Sequence, residues 1–548
     1  MDNIKVTINN EEFYTKKGTS LKAIAETFQK NFKHPILVAK VNNTLKELNY
    51  EITKAKTIEF LDLNTRAGNK IHVNGLLFIL SVAIKELYGI KYDIKVQHSI
   101  DKGLYIGTNF ELTEQRLNDI KKKMQDIINE KRPIVKLNVD RLEARDYFSK
   151  IGDKSKVNIL KYTTNTYITL YKLGDYYDYF YTKMPISTGD VNEFDVTFLS
   201  KEGFVLRFPT VYSNDTIKEY EAHPKMFEVF KKCREWCETM NVNNASQLND
   251  FVSTGKIDEF IKISEAKQND ELFQLAKQIY QNKDLKVVLL AGPSSSGKTT
   301  TSKKLCMFLR SFGSKPQVIG MDDYFVEREE TPLDENGKPD YECLEAVDLK
   351  LFDKQIDAIM KGEEVTIPTY NFITGSKEYT KKLKLDKSGV LVIEGIHALD
   401  KEVLSNIPRK NVFRIYISPL TELNVDNHNY VSTTDNRLLR RIVRDNKTRG
   451  HNVQKTISSW PEVRRGEEKY IFPYQDNADY TFNSALIYEI GALKTYVEPL
   501  LYAVDPRDSC YEEAKRLINF LGFFLPIPAD AIPQDSILRE FIGGSFFN

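Results

Sequence analysis

A chain of 548 residues is too long for one hydrophobic core and predicts about three globular domains. Its 78 Lys and Arg balance 77 Asp and Glu, and a formal net charge of +1 removes any global electrostatic case for an obligate nucleic-acid or membrane partner. The five cysteines, Cys233, Cys237, Cys306, Cys343 and Cys510, are odd in number and scattered, which fits a reducing compartment better than a disulfide framework.

The N-terminal MDNIKVTINN lacks an apolar signal core, and the longest apolar run, Gly75 to Ile84, is too short to span a bilayer, so a soluble cytoplasmic protein is expected. Residues 1–65 read as a small module: strands at Ile4–Ile8 and Glu12–Tyr14, a helix opened by Thr19-Ser20 and running to Gln29, and strands at Ile36–Val41 and Thr57–Phe60. Residues 66–210 predict helices at Gly75–Tyr88 and Thr113–Lys131 and strand-like alternation near Lys161–Leu173 and Phe194–Arg207, hence an α+β domain. Residues 211–284 have a helical period and form a connector. Within it Cys233 and Cys237 make a CxxxC pair, which without a second ligand pair does not predict a metal site.

From residue 285 to 495 strands and helices alternate: Lys286–Ala291, a helix to Phe312, Gln317–Met321, a helix near Leu349–Lys361, Val390–Glu394, Val412–Ser418, a helix at Asn436–Lys447, and Ala478–Asn483. That order predicts an α/β domain, a parallel sheet covered by helices, with ligands beyond the carboxyl ends of the strands. Residues 496–548 form a C-terminal extension, helical at first and then Pro-punctuated before Ser536–Gly544. No chemistry is assigned to it, and docking against another domain is expected.

The apolar strand ending at Ala291 runs into Gly292-Pro293-Ser294-Ser295-Ser296-Gly297-Lys298-Thr299-Thr300, the Gly-x4-Gly-Lys-Ser/Thr pattern of a phosphate-binding loop, and an amphipathic helix with Leu305, Phe308 and Leu309 follows. The glycines allow a path that turns successive N–H groups toward phosphate oxygens. Lys298 supplies a point charge and the Thr299 hydroxyl a Mg²⁺ ligand, so ATP and Mg²⁺ are the expected cofactors. Asp322 and Asp323 follow the next strand, where one carboxylate can accept a proton from an attacking hydroxyl or hold Mg²⁺. Glu394 ends the strand at 390–394, a place for the acidic partner of Mg²⁺. Arg437, Arg441 and Arg444 share a helix face, with Arg440 beside them and Arg449 past the helix end. Such a face can close over a triphosphate as internal arginine fingers, or serve as an RNA-binding patch.

Together with Met321-Asp322-Asp323-Tyr324-Phe325, Pro368-Thr369-Tyr370-Asn371-Phe372 and Ile393-Glu394-Gly395-Ile396, these residues resemble the uridine kinase and phosphoribulokinase family of P-loop kinases, most closely uridine–cytidine kinases. The resemblance implies Asp322 as general base for a nucleoside 5′-hydroxyl, with Lys298, Arg444 and Arg449 completing the catalytic set. It also implies Glu342 on ribose hydroxyls, Tyr341, Tyr370 and Phe372 flanking a base, and Arg441 on the nucleoside side. Three positions depart from the family: Gly375 stands where a base-reading His belongs, His451 where an Arg follows the Arg-Gly pair, and Ser459 where a Gln contact falls. Losing those readers predicts weak base discrimination. A non-nucleoside alcohol as acceptor, or a regulatory protein using the nucleotide site as a sensor, stays open.

Residues 1–65 resemble the β-grasp TGS module through Gly18-Thr19-Ser20-Leu21 and the stretch from Ala39 to Leu45. Residues 66–210 resemble the second N-terminal domain of threonyl-tRNA synthetase at Tyr171–Asp175 and Ser187-Thr188-Gly189. The relative's HxxxH and CxxxH positions fall here at Asn74 and Phe78 and at Phe180 and Met184, none of which replaces an imidazole or thiolate, so neither zinc nor editing is expected. The front half is left as a fold able to bind RNA, a protein partner or a regulator, or as a scaffold. A homo-oligomer is expected.

Overall fold

A computed structural model of the chain describes residues 3–9, 11–213, 216–334, 337–371, 374–421 and 423–547. At the N-terminus five strands form one sheet in the order Glu11–Lys16, Asn3–Ile8, Thr57–Leu61, Val38–Val41, Thr44–Glu47. Helix Leu21–Phe28 closes it, and its Ser20 N-cap hydroxyl accepts from the Ala23 N–H at 3.3 Å. Val6, Ile8, Leu21, Ile24, Ile58 and Phe60 fill the space between, giving a β-grasp.

The second region is built around helix Arg66–Tyr88, nine residues longer at its start than the apolar run predicts. Thr65 explains the extension, because its side chain caps the Gly68 N–H and lets the polar turn 66–70 join the helix. This helix is long and apolar enough to cross a membrane by length and composition, yet 83% of its most apolar window is buried inside the protein. Two antiparallel sheets flank it. One has the order Asp195–Ser200, Gly203–Arg207, Gly103–Thr108, Ile94–Ile100, and the other Val135–Asp140, Tyr167–Leu173, Tyr176–Asp178. The stretch expected as a strand from Lys161 begins instead as the end of helix Lys154–Lys161, and strand pairing starts only at Tyr167.

Three helices follow, Pro224–Thr239, Ala245–Ser253 and Ile257–Gln281. The last of them covers one face of a five-stranded sheet in the order Gln317–Gly320, Leu391–Glu394, Val287–Ala291, Val412–Ser418, Tyr480–Asn483, with every neighbouring pair parallel. Alternation along the central strand decides which side chain meets which layer. Val288 and Leu290 pack with Leu272, Leu275, Leu305 and Leu309, whereas Val287 and Leu289 face Phe352, Ile356 and Ile359. An antiparallel hairpin, Val365–Asn371 with Ser376–Leu383, stands beside this sheet and was not expected from the sequence.

The regions share interior. One buried cluster joins Phe148 and Ile159, Phe260 and Ile261, Leu438, Leu439 and Ile442 of helix Thr433–Thr448, and Phe520 and Phe541 near the C-terminus. Buried charges cross the same seam: Lys156 meets Asp178 at 2.9 Å and Asp153 at 3.2 Å, and His428 bridges Asp178 at 2.7 Å and Asp93 at 3.1 Å. Asp435, in the first turn of helix Thr433–Thr448, meets Arg66 at 3.0 Å and Arg516 at 2.6 Å.

Candidate active site

The central strand Val287–Ala291 delivers residues 292–297 over the carboxyl edge of the sheet. Ser295 (φ 61°) and Gly297 (φ 84°) take left-handed conformations, and a Cβ on Gly292 would lie 2.1 Å from the Ile417 carbonyl oxygen, so only glycine fits there. The outer side of the loop is tied down. The Ser294 N–H donates to Glu467 Oε1 at 3.1 Å, Arg437 Nε to the Ser294 carbonyl at 3.0 Å, and the Ser484 hydroxyl to the Ser296 carbonyl at 2.5 Å. Lys298 Nζ donates to the Gly292 and Pro293 carbonyls at 3.0 and 3.3 Å. Among the described residues, Ser295 Oγ and Ser296 Oγ are buried without a hydrogen-bond partner. A curled loop with positive φ, a poised lysine and two orphaned hydroxyls fits a phosphate chain.

The Thr299 hydroxyl donates to Glu394 Oε1 at 2.8 Å, which joins the two residues expected to hold Mg²⁺. Two hard oxygen ligands at the mouth of a phosphate loop suit that cation, which keeps several of its waters. Burial pushes the Glu394 carboxyl up to about 7, with Lys298 opposing and Asp322 adding to the rise.

The next strand stops at Gly320, and Met321–Tyr324 form a single 3-10 turn, which splits the two aspartates. Asp322 is exposed, and its charge is felt by Glu394, Glu342 and His397. Asp323 turns away toward the hairpin, where its Oδ1 accepts from the Tyr370 N–H at 3.4 Å, and burial raises its pKa. Glu342 is raised to about 7 by burial and by Glu467, with Arg441 and Lys298 pulling the other way. These couplings bring Asp322, Glu342, Glu394, Lys298 and Arg441 within electrostatic reach of one another. Phe325 bridges Tyr341 and Tyr370, with ring centroids 6.4 and 5.7 Å away. Tyr341 is exposed and Tyr370 buried, whereas Phe372 lies outside the described residues.

On helix Thr433–Thr448 Arg437 and Arg441 share a face, both lying over the Trp460 ring at 5.3 and 5.8 Å and both bonding Ser294, but the arginines have different duties. Arg437 is spent in a buried ion pair with Glu467, and Arg440 on Glu489 (2.5 Å) and the Ser484 carbonyl (2.9 Å), so both brace the loop from outside. Arg441 reaches the loop, donating to Ser294 Oγ at 2.8 Å. Asp445, to which the sequence assigned no role, collects the rest: Arg444 at 2.9 Å, Arg441 at 3.3 Å and Arg449 at 3.8 Å. Three guanidiniums on one carboxylate leave local positive charge in excess, and burial with the neighbouring Arg444 lowers Arg449 to about 10.

The base-side positions are occupied differently. Gly375 has φ 76° at the hairpin turn, and a Cβ there would meet Arg328 Nε at 2.7 Å, so the arginine lies where a side chain at 375 would go. His451 Nε2 is 2.9 Å from Lys455 Nζ, and the Ser459 hydroxyl is bonded to the Thr456 carbonyl at 3.2 Å within its own helix. Two further site residues escaped sequence reasoning. Gly466, in helix Val453–Tyr470, abuts Glu342 so closely that a Cβ would fall 2.5 Å from the Glu342 Cβ. Glu540 accepts from both the N–H and the hydroxyl of Thr300 at 3.1 and 2.8 Å. No local pattern marks either contact, because the partners stand more than a hundred residues apart.

Residues 287–489 match the Phosphoribulokinase / Uridine kinase family. Over those residues the chain is similar to that family. A uridine kinase of Halobacterium salinarum is 27% identical over 192 residues, covering 35% of this chain and 76% of that protein. A solved structure described as a possible uridine kinase from Bacillus stearothermophilus shares 22% identity over 39% of this chain and 98% of its own, with a TM-score of 0.27. The N-terminal region matches a threonine–tRNA ligase of Aquifex aeolicus at 29% identity over 205 residues, 36% of this chain. The chain spans only 32% of the length of that ligase. In the matching region the Phe78 and Phe180 rings pack at 5.8 Å in one apolar cluster with the buried Met184, whereas the Asn74 amide donates to the Thr182 hydroxyl.

Proposed function

We propose that residues 285–495 transfer the γ-phosphoryl group of ATP to the 5′-hydroxyl of a nucleoside-like acceptor. The observation that carries this reading is the exposed carboxylate of Asp322, which lies within electrostatic reach of Lys298 and Glu342 while its neighbour Asp323 is turned away. The acceptor oxygen attacks the γ-phosphorus, its proton passes to Asp322, and the bond from the γ-phosphorus to the bridging oxygen breaks to release ADP. Loop amides with Lys298 hold the phosphates. Arg441, Arg444 and Arg449 offset the charge that shifts to the leaving oxygens. Thr299 and Glu394 would hold Mg²⁺, which when bound neutralises phosphate charge.

Glu342 is the acceptor for sugar hydroxyls, against the wall of Tyr341, Phe325 and Tyr370. Arg328 over Gly375, and His451 turned to Lys455, favour a second reading in which the acceptor is a non-nucleoside alcohol. ATP consumption measured with ribonucleosides, sugars and pantothenate-like alcohols separates the two. A ribonucleoside used with weak base discrimination is expected, and uridine preferred by a factor of thousands over other nucleosides would contradict it. For the front half we propose a scaffold or RNA- or protein-binding role without deacylation, supported by the apolar packing of Phe78, Phe180 and Met184 and by the amide of Asn74 being bonded to Thr182. One tightly bound zinc per chain in metal analysis would overturn that.

A further inference from the structure

The C-terminal extension reaches into the phosphate loop. Its residues Ile537, Leu538 and Phe541 are buried, and a Cβ on Gly297 would lie 2.6 Å from Ile537 Cγ2. The segment is bound on two sides. Lys304 on the loop helix Lys298–Ser311 meets Asp535 at 3.2 Å and Lys303 donates to the Phe547 carbonyl at 2.8 Å, while the Arg440 guanidinium lies 4.9 Å over the Phe541 ring and Lys447 donates to the Ile542 carbonyl. These contacts fix where Glu540 stands. Its Oε2 takes the Thr300 N–H and hydroxyl together, and Thr300 is the third residue of that helix, whose N-cap Gly297 offers no side-chain cap.

An amide in the first turn behind a phosphate loop is one of the donors that cradle the phosphates nearest the nucleoside. A carboxylate bonded there uses that donor and places negative charge where the nucleotide brings its own.

We propose that Glu540 is an internal competitor for the nucleotide: its carboxylate fills the phosphate donors of Thr300 and must swing out before ATP or ADP can seat fully. The proposal rests on the phosphate-loop reading above. The anchors Ile537, Leu538 and Phe541 stay in place, so the exchange needs only side-chain rotation of Glu540. Nucleotide affinity is thereby set from the far end of the chain, and whatever shifts the extension alters it.

Calorimetric titration of the full-length protein with ADP tests this in wild type, Glu540→Ala and Glu540→Gln, with thermal midpoints recorded alongside. Glu540→Ala removes the competitor and should bind ADP about 5- to 30-fold tighter, the range expected for an anion at a helix N-terminus. Glu540→Gln keeps an acceptor for Thr300 but not the charge, and should fall between wild type and Glu540→Ala. In turnover the KM for ATP should drop by a similar factor with kcat changed less than twofold. Equal or weaker ADP binding in folded Glu540→Ala and Glu540→Gln would overturn the proposal and leave Glu540 as a helix cap. Should none of the three proteins bind ADP, the phosphate-loop reading itself falls and takes this proposal with it.

Discussion

Adjacent aspartates at a strand end cannot both face one crevice, and the 3-10 turn at Met321–Tyr324 assigns them opposite duties. Asp322→Asn keeps size and polarity but cannot take a proton, so kcat should fall by roughly 10²–10⁴ with little change in ATP affinity. Asp323→Asn loses only its acceptor strength toward the Tyr370 N–H and should cost less than about tenfold. Stopped-flow or steady-state kinetics on the two variants checks this, and the reverse ranking would move the base to Asp323. Glu342 gives a pH test. Its folded pKa of about 7 lies above the ordinary carboxyl value of 4.5, so its ionisation opposes folding. That cost is absent below the unfolded value, grows as pH rises toward 7 and is complete above it. Glu342→Gln should therefore raise stability by up to about 3 kcal/mol at pH 8 and by nothing at pH 3. The same variant should raise the acceptor KM. Equal midpoint shifts at both pH values would contradict the assignment.

At the scale of elements, the strand, phosphate loop and helix at 287–311 were legible because an apolar run, two glycines and a helical period lie consecutively in the chain. The hairpin at 365–383 was not. Its second strand, SKEYTKKL, is mostly exposed and charged, so no apolar alternation announces it. The strand Gly103–Thr108 was missed for another reason: it is buried along nearly its whole length and shows no half-buried period, whereas its partner Ile94–Ile100 does alternate and could have been read. Within the site, the glycine loop, Asp322 and Glu394 could be read locally. The duties of Glu467, Asp445 and Gly466 could not, since each is defined by a partner supplied through folding. Gly466 carries a prediction at this scale. Gly466→Val drives its Cβ into Glu342, the three atoms nearest it all belonging to that residue. Acceptor KM should rise about tenfold or more while ADP affinity stays as in wild type, because small displacements of positioning groups are costly. Parallel loss of ADP binding would show instead that the helix itself had been disturbed.

Across the whole molecule, the front half and the kinase region are joined by charge buried in common. Burial and the Lys156 ammonium oppose protonation of His428, but the Asp178 and Asp93 carboxylates prevail and hold its pKa up to about 9. A histidine raised in the fold contributes stability that is fully present below its unfolded value of 6.5 and is lost as pH rises through about 9. The midpoint difference between wild type and His428→Gln should be largest near pH 6, where breaking a buried pair costs about 3–5 kcal/mol, and should shrink by pH 10. A difference that stays constant or grows with pH would refute this account of the seam. The seam also fixes helix Thr433–Thr448, since Arg66 and Arg516 both hold Asp435 in its first turn. The arginines that face the phosphate loop are therefore positioned by both ends of the chain. All of this matters functionally only if the site transfers phosphate to an alcohol. The direct measurement is mass-spectrometric identification of the products formed from ATP, Mg²⁺ and mixed ribonucleosides by the full-length protein, beside Lys298→Ala. The account predicts ADP and nucleoside 5′-monophosphate in equal amounts from wild type and neither from the variant, whereas ADP formed without any phosphorylated acceptor would contradict it.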